Sequence, residues 1–285
     1  MKFDLLEPAT IGEATALLSA RADARILAGG QSLLLMIRSG LVRPATLVSL
    51  NAVGGLAEIT AGPTDGLSIG ALATHANILA SPLVRERAPL LAMAVERIGS
   101  TPVRNFGTLG GNLCHNEMGG DPPPALLALG AEAECAGPRG RRRIPLADFF
   151  TDYFSTALAA DEILTGIAIP RQPAGSRALY LKHAMRPGDL AIVGVAALLE
   201  MDGGVCRRAR LALGGVGPVA FRAYEAEKLL GGARLDEGAI DAAAEAAAAM
   251  CDPIDDAHAP AEYRKKMARV FVRRALRRAA AGEER

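Results

Sequence analysis

Two glycine pairs carry the chemistry most plainly. Ala28-Gly29-Gly30-Gln31-Ser32 follows an apolar, strand-like stretch at 25–28, and Thr108-Leu109-Gly110-Gly111-Asn112 follows Val103-Arg104-Asn105-Phe106. Paired glycines let backbone N–H groups approach a ligand closely and aim several donors at one anion. Ser32, Thr108 and Asn112 add side-chain donors. Either loop alone reads more readily as a tight turn. Two of them about 80 residues apart suit a diphosphate held between two segments of chain.

Other groups that could do chemistry are weaker. Gly215-Val216-Gly217-Pro218-Val219-Ala220 matches the dinucleotide fingerprint G-x-G-x-x-A. Pro218 disturbs the turn, helices follow where a second strand is needed, and the surrounding segment reads antiparallel. His75, His115, His183 and His258 show no metal-ligand spacing. Cys114-His115 is an adjacent thiol and imidazole, but neighbours in sequence usually project apart and no oxyanion partner is evident. The cysteines Cys114, Cys135, Cys206 and Cys251 lie 21, 71 and 45 residues apart, with no Cys-x-x-Cys, so they read as reduced, mostly buried thiols.

The elements that must position the loops follow from patterning. Thr10-Ile11-Gly12-Glu13 is a capping box that opens a helix. Strands are expected at 25–28, 46–50, 67–71, 131–136, 141–144 and 163–169. A short apolar segment spans 33–38, Thr74 caps a helix through Ile78 and Leu79, and a helix over 90–98 ends at Gly99. Residues 107–125 are the densest in Gly and Pro, and 170–175 reads as a linker. Beyond it come three strands (178–185, 190–201, 206–213), then helices over 221–230, 236–250 and 260–281. The last is basic, with an apolar seam of Tyr263, Met267, Val270, Phe271 and Ala275 and a solvated face opposite.

The chain has 285 residues, 50% hydrophobic and 22% charged, with net charge +1 and no Trp. That supplies a core and excludes wholesale disorder. Balanced charge and few aromatics argue against nucleic acid. The longest apolar runs, such as 190–199, are about ten residues, where a membrane span needs about 20. Met1-Lys2-Phe3-Asp4 does not open a signal peptide, so a cytoplasmic protein is expected.

The glycine loops sit in longer matches. Ala28-Gly29-Gly30-Gln31-Ser32-Leu33-Leu34, together with 98–113 (Ile98-Gly99-Ser100-Thr101-Pro102 through Gly110-Gly111-Asn112-Leu113), resembles the FAD-binding medium subunit of molybdenum hydroxylases, the carbon monoxide dehydrogenase and xanthine dehydrogenase superfamily. The similarity continues through Asp121-Pro122-Pro123, Asp161-Glu162-Ile163-Leu164, Lys182 to Val195, Gly214-Gly215-Val216-Gly217-Pro218 and Glu262-Tyr263-Arg264. The resemblance implies an α+β fold. A two-lobed FAD-binding domain of the vanillyl-alcohol-oxidase type would occupy 1–175 (lobes about 1–55 and 56–175). A small three-stranded antiparallel sheet with helices would occupy 176–285. It implies FAD between the lobes, its pyrophosphate held by Leu27, Ala28, Gly29, Gly30, Gln31 and Ser32 and by Thr108, Gly110, Gly111 and Asn112. Asp121 matches an acid that contacts the cofactor's hydroxyl groups, Ile98 and Leu164 match apolar positions along it, and Lys182 matches a lysine near the flavin, with Asp189 orienting that lysine or the loop. Molybdopterin and 2Fe–2S centres are expected on separate large and small partner subunits, in a dimer of heterotrimers. Electrons would enter from the iron–sulfur centres and leave to an acceptor such as NAD or a quinone. No residue here need be an acid, base or nucleophile. Two features depart from the family: the scattered cysteines leave no cluster in this chain, and His115-Asn116-Glu117-Met118-Gly119-Gly120 replaces a more usual His-Ala-Asp-like stretch. A free-standing FAD-dependent oxidase or reductase of the same fold, or a module that has lost FAD, are the competing readings.

Overall fold

A computed structural model of the chain describes residues 3–283; residues 1–2 and 284–285, at the outer ends of the two expected domains and including the start of the N-terminal segment, lie outside the described residues. The first lobe is a parallel sheet in which Thr46–Ser49 lies between Asp4–Leu6 and Ala24–Leu27. Parallel neighbours need a crossover, and the helix Leu33–Arg38 lies in the one from Ala24–Leu27 to Thr46–Ser49, while the helix Ile11–Ala20 joins the two outer strands. Its capping box forms with the return bond one residue early: the Thr10 hydroxyl accepts the Glu13 N–H, and the Glu13 carboxylate accepts that of Ala9.

The second lobe is a five-stranded antiparallel sheet in the order Ile59–Ala61, Leu67–Gly70, Ile163–Ile169, Glu132–Gly137, Gly140–Pro145. The Gly/Pro-dense stretch between its halves is largely helical. Leu109–His115 and Pro122–Leu129 are both helices. Prolines cluster in the first turn of the second, where a missing N–H costs no hydrogen bond. All eight residues of Pro122–Leu129 are buried, as an all-round apolar helix must be.

That helix joins the lobes to the third unit. The expected strands appear as Arg177–His183, Val193–Asp202 and Val205–Gly214, antiparallel throughout. Two-residue strands at Phe221–Arg222 and Ala233–Arg234 extend the sheet, so the stretch expected as helix from 221 begins as strand and turns helical at Tyr224. Ala178, Tyr180, Ala196, Leu198 and Ala212 face the core that contains Pro122–Leu129. Leu179, Val195, Ala197, Leu199, Leu211 and Leu213 face the helices Glu237–Ala249 and Ala261–Ala281. A sheet covered on both faces explains why 193–199 is apolar without alternation.

The basic helix Ala261–Ala281 has a use for its charges. Arg277, Arg273 and Arg269 pair with Glu237, Asp241 and Glu245, three residues one turn apart on the antiparallel neighbour. The i, i+4 spacing on both helices produces this ladder. Its pairs are solvent-exposed and screened, so each contributes little to stability.

Candidate functional site

Between the two lobes lies a cleft of about 430 Å³, a common size for a cofactor site. The strand Ala24–Leu27 runs into its floor and stops at Ala28. Residues 29–32 are neither strand nor helix, and the helix Leu33–Arg38 follows. Among the described residues, the backbone N–H groups of Gly29, Gly30, Gln31, Ser32 and Leu33 find no acceptor in the protein. Five consecutive free donors beside a cavity form a concave anion site. Gly30 has φ +73°, a left-handed turn that glycine adopts without strain.

The second glycine loop does something different. Its donors are mostly used: Gly110 N–H bonds the Ala71 carbonyl, Asn112 N–H that of Thr108, and Gly111 N–H the Thr108 hydroxyl at 3.1 Å. Its glycines permit contact instead. A Cβ on Gly110 would lie 2.6 Å from that of Ala71. A Cβ on Gly29 would lie 1.8 Å from the Phe106 carbonyl oxygen, so the loops touch backbone to backbone.

Ala28 through Ser32, Ile98, Thr108, Gly110, Gly111, Asn112 and Leu164 all line the cleft. Leu27 does not line it; its carbonyl accepts the Leu50 N–H within the lobe. Asp121 and Lys182 form a buried ion pair of 2.8 Å off the lining, tied by the Lys182 bond to the Arg97 carbonyl to the residue before Ile98. The other Asp121 oxygen accepts the Tyr180 hydroxyl at 2.8 Å. Burial pushes the Asp121 carboxyl up, opposed by Lys182 and Tyr180. Asp121 is thus the partner of Lys182. The Asp189 N–H bonds the Arg186 carbonyl, and no bond joins Asp189 to Lys182 among those of the described residues.

Two buried polar atoms at the cleft have no partner among the described residues: Asn112 Oδ1 and His75 Nδ1. An open acceptor suits a hydroxyl donor, so the residues present fit a ligand with an anionic diphosphate, hydroxyl groups and apolar rings: FAD meets that description. His75 was not singled out by sequence because its neighbours read only as a helix start. It lines the cleft behind Gly107, and burial, aided by Arg104, lowers its pKa to about 4. The folded protein therefore holds His75 neutral while the unfolded chain charges it below 6.5. Stability is complete above about pH 6.5 and falls progressively toward pH 4, by about 3 kcal/mol for this group. Denaturant unfolding of His75→Gln against wild type should show that the variant loses this part of the acid slope; identical slopes would assign it elsewhere.

Cys114 also lines the cleft, and burial pushes its thiol up to about 12, so it remains protonated and is not a nucleophile. All four cysteines are free, three of them buried. The Gly215 loop is a structural turn: its N–H bonds the Met118 carbonyl, and a strand follows it. Among the described residues, no group of three or more His, Cys, Asp and Glu is placed to hold a metal ion, and no helix is long and apolar enough to cross a membrane.

Known proteins share this arrangement. Residues 1–172 match the FAD binding domain in molybdopterin dehydrogenase, and residues 178–279 match the CO dehydrogenase flavoprotein C-terminal domain. The carbon monoxide dehydrogenase medium chain of Afipia carboxidovorans is 38% identical over 280 residues, 98% of this chain and 97% of its own. The nicotine 6-hydroxylase medium subunit of Paenarthrobacter nicotinovorans is 38% identical over 269 residues, 94% of each chain. A chain in the structure of carbon monoxide dehydrogenase from Hydrogenophaga pseudoflava superposes with a TM-score of 0.97 at 37% identity, covering 99% of this chain and 98% of its own.

Proposed function

Because the chain belongs to the FAD-binding flavoprotein subunits of the carbon monoxide dehydrogenase and xanthine dehydrogenase type of molybdenum hydroxylase, we propose that it is the electron outlet of such a complex. Electrons enter from 2Fe–2S centres on a small partner subunit, after substrate oxidation at a molybdopterin-bearing large subunit. They leave to an external acceptor such as NAD or a quinone. The assembly is a dimer of heterotrimers in the cytoplasm, an environment in keeping with four free thiols. The observation that carries the reading is the run of free N–H groups at 29–33, packed beside a second glycine loop and lining the same cleft.

FAD supplies the redox chemistry, since a flavin takes up electrons singly or in pairs. The chain's own residues bind and orient it. Residues 29–33 hold the diphosphate, with Ser32 and Thr108 beside them. Gly110 and Gly111 bring the backbone close, and Asn112 Oδ1 accepts a hydroxyl. Ile98 and Leu164 flank the rings. Asp121 anchors Lys182 behind Ile98, where the cation favours an electron-rich ring. The domain division proposed is an FAD-binding domain over 1–175 and a C-terminal α+β domain over 176–285.

Purification of the chain from its host under mild conditions should give flavin and iron–sulfur absorbance and two further chains, one small and one large. A yellow protein that purifies alone and turns over a substrate would replace this reading with a free-standing FAD-dependent oxidase or reductase.

A further inference from the structure

One end of the cleft holds an arrangement that FAD binding at the glycine loops does not explain. Phe154 sits at the tip of the hairpin Phe150–Asp152 and Ser155–Thr156, lines the cleft and is 56% exposed. Its φ is +52°, a left-handed conformation that bulky side chains rarely adopt. Such an outlier persists only where its surroundings enforce it, and it marks a candidate functional position. The enforcement here is visible. Asn116, itself left-handed at φ +46°, ends the helix Leu109–His115 and is buried. Its carboxamide donates to the carbonyls of both Asp152 and Ser155 at 2.8 Å. The preceding residue, His115, also lines the cleft, and its ring lies 5.3 Å from that of Phe154 at 45°.

One short helix therefore begins at the glycine loop and ends in the clasp that fixes an exposed aromatic ring. From Gly111 to His115 is four residues, a rise of about 6 Å. That is roughly the reach of a ribose between a phosphate and its base. Leu158 and Leu164 line the cleft with them, as does Ile98, which follows Arg97, the residue whose carbonyl accepts from Lys182. A dinucleotide brings two ring systems, and the cation suits the flavin.

We propose that His115 and Phe154 form the wall on which the cofactor's adenine stacks, so that the cleft selects an adenine dinucleotide over a flavin mononucleotide. This rests on the FAD reading above. Burial lowers the His115 pKa against the opposing charge of Glu117, which favours the uncharged ring suited to stacking on an uncharged base.

The test titrates the full-length apoprotein with FAD, FMN and ADP, following flavin absorbance and the heat of binding. Phe154→Gly removes the ring and accepts the left-handed backbone, so the hairpin keeps its shape; Phe154→Tyr retains a stacking face. The glycine variant should lose about 5- to 100-fold in affinity for both FAD and ADP, the scale of one base stack on an aromatic ring. Its FMN affinity should stay within about twofold of wild type, and the tyrosine variant should restore FAD and ADP binding. Unchanged FAD and ADP affinity in Phe154→Gly overturns the proposal. Weakened FMN binding with unchanged ADP binding overturns it as well, because the flavin then occupies this end. A wild-type chain that binds neither FAD nor ADP overturns the FAD reading itself, before any substitution is compared.

Discussion

Gly29→Ala is expected to abolish FAD binding while leaving the rest of the chain folded. The added methyl would stand 1.8 Å from the Phe106 carbonyl oxygen and 2.7 Å from its carbon. Both atoms are backbone, so no side chain can rotate away, and loop 29–32 must lift off the 106–107 segment. The five free N–H groups are then displaced together. The local cost to stability is about 1–3 kcal/mol, the range for overpacking. The cost to binding is larger, because several charge-assisted bonds to the diphosphate are misdirected together. An FAD affinity at least about 100-fold weaker is expected. Gly30→Ala is the useful comparison. Its φ of +73° is unfavourable for alanine, but the atoms crowding its Cβ are the flexible end of Leu34. It should weaken FAD by only about 10-fold, in line with a strain on the order of 1–2 kcal/mol. The measurement is flavin content after gel filtration together with the unfolding midpoint. Full flavin content in Gly29→Ala would show that loop 29–32 does not hold the diphosphate.

Why Gly29 is legible in sequence and its partner loop less so has a physical basis. A strand that stops at two glycines exposes local N–H groups, and locality is what sequence displays. The second loop reads as its twin, yet its donors are consumed: Gly111 and Asn112 bond to the helix cap at Thr108, and Gly110 bonds to Ala71, whose approach depends on the fold. The same holds for Asp121 and Lys182, 61 residues apart and joined only when the buried helix Pro122–Leu129 packs on the third sheet. Strand Ile163–Ile169 was legible as a strand, but its place between Leu67–Gly70 and Glu132–Gly137 was not, since pairing across such separations leaves no local mark. Phe154 was invisible for a related reason. The carboxamide of Asn116, about 40 residues away, enforces its left-handed backbone. Composition and periodicity found the layers, the family resemblance found the cofactor, and long-range contacts decided which residues face it.

Arg264→Met is expected to destabilise the C-terminal unit by about 2–5 kcal/mol, because two carbonyls beneath the buried guanidinium lose their donor and a solvent-accessible carboxylate loses its cation. Arg264 is 1% exposed. Its Nη1 donates to the carbonyls of Ile192 and Gly215 at 2.9 and 2.7 Å, and its Nη2 donates to both Asp256 oxygens at 2.8 Å. Methionine fills much of the space, leaves two carbonyls without their donor, and leaves the Asp256 carboxylate with only the N–H groups of His258 and Ala259. Arg264→Lys should recover only part of the loss, because one ammonium cannot span four acceptors held in a planar fork. The damage should also reach the cofactor end. The segments that Arg264 grips bond across to the FAD-binding unit, Ala191 N–H to the Gly119 carbonyl and Gly215 N–H to that of Met118, just before Asp121. Acid supplies the specific signature. Burial pushes the Asp256 carboxyl up, but Arg264 and the N–H groups of Ala259 and His258 outweigh it and hold the pKa at about 2. A carboxylate whose folded pKa is depressed contributes stability above its ordinary value of 3.8, and that contribution disappears as pH falls toward 2. Wild type should therefore lose stability between about pH 4 and pH 2 relative to Asp256→Asn. In Arg264→Met that acid limb should shrink, because the chief group holding the Asp256 proton off is gone. Denaturant unfolding of the three proteins from pH 7 to pH 2 reads both effects. A loss below about 1 kcal/mol in Arg264→Met at pH 7 would reduce the guanidinium to an ordinary surface-pair contribution and remove it as the clamp between the two units.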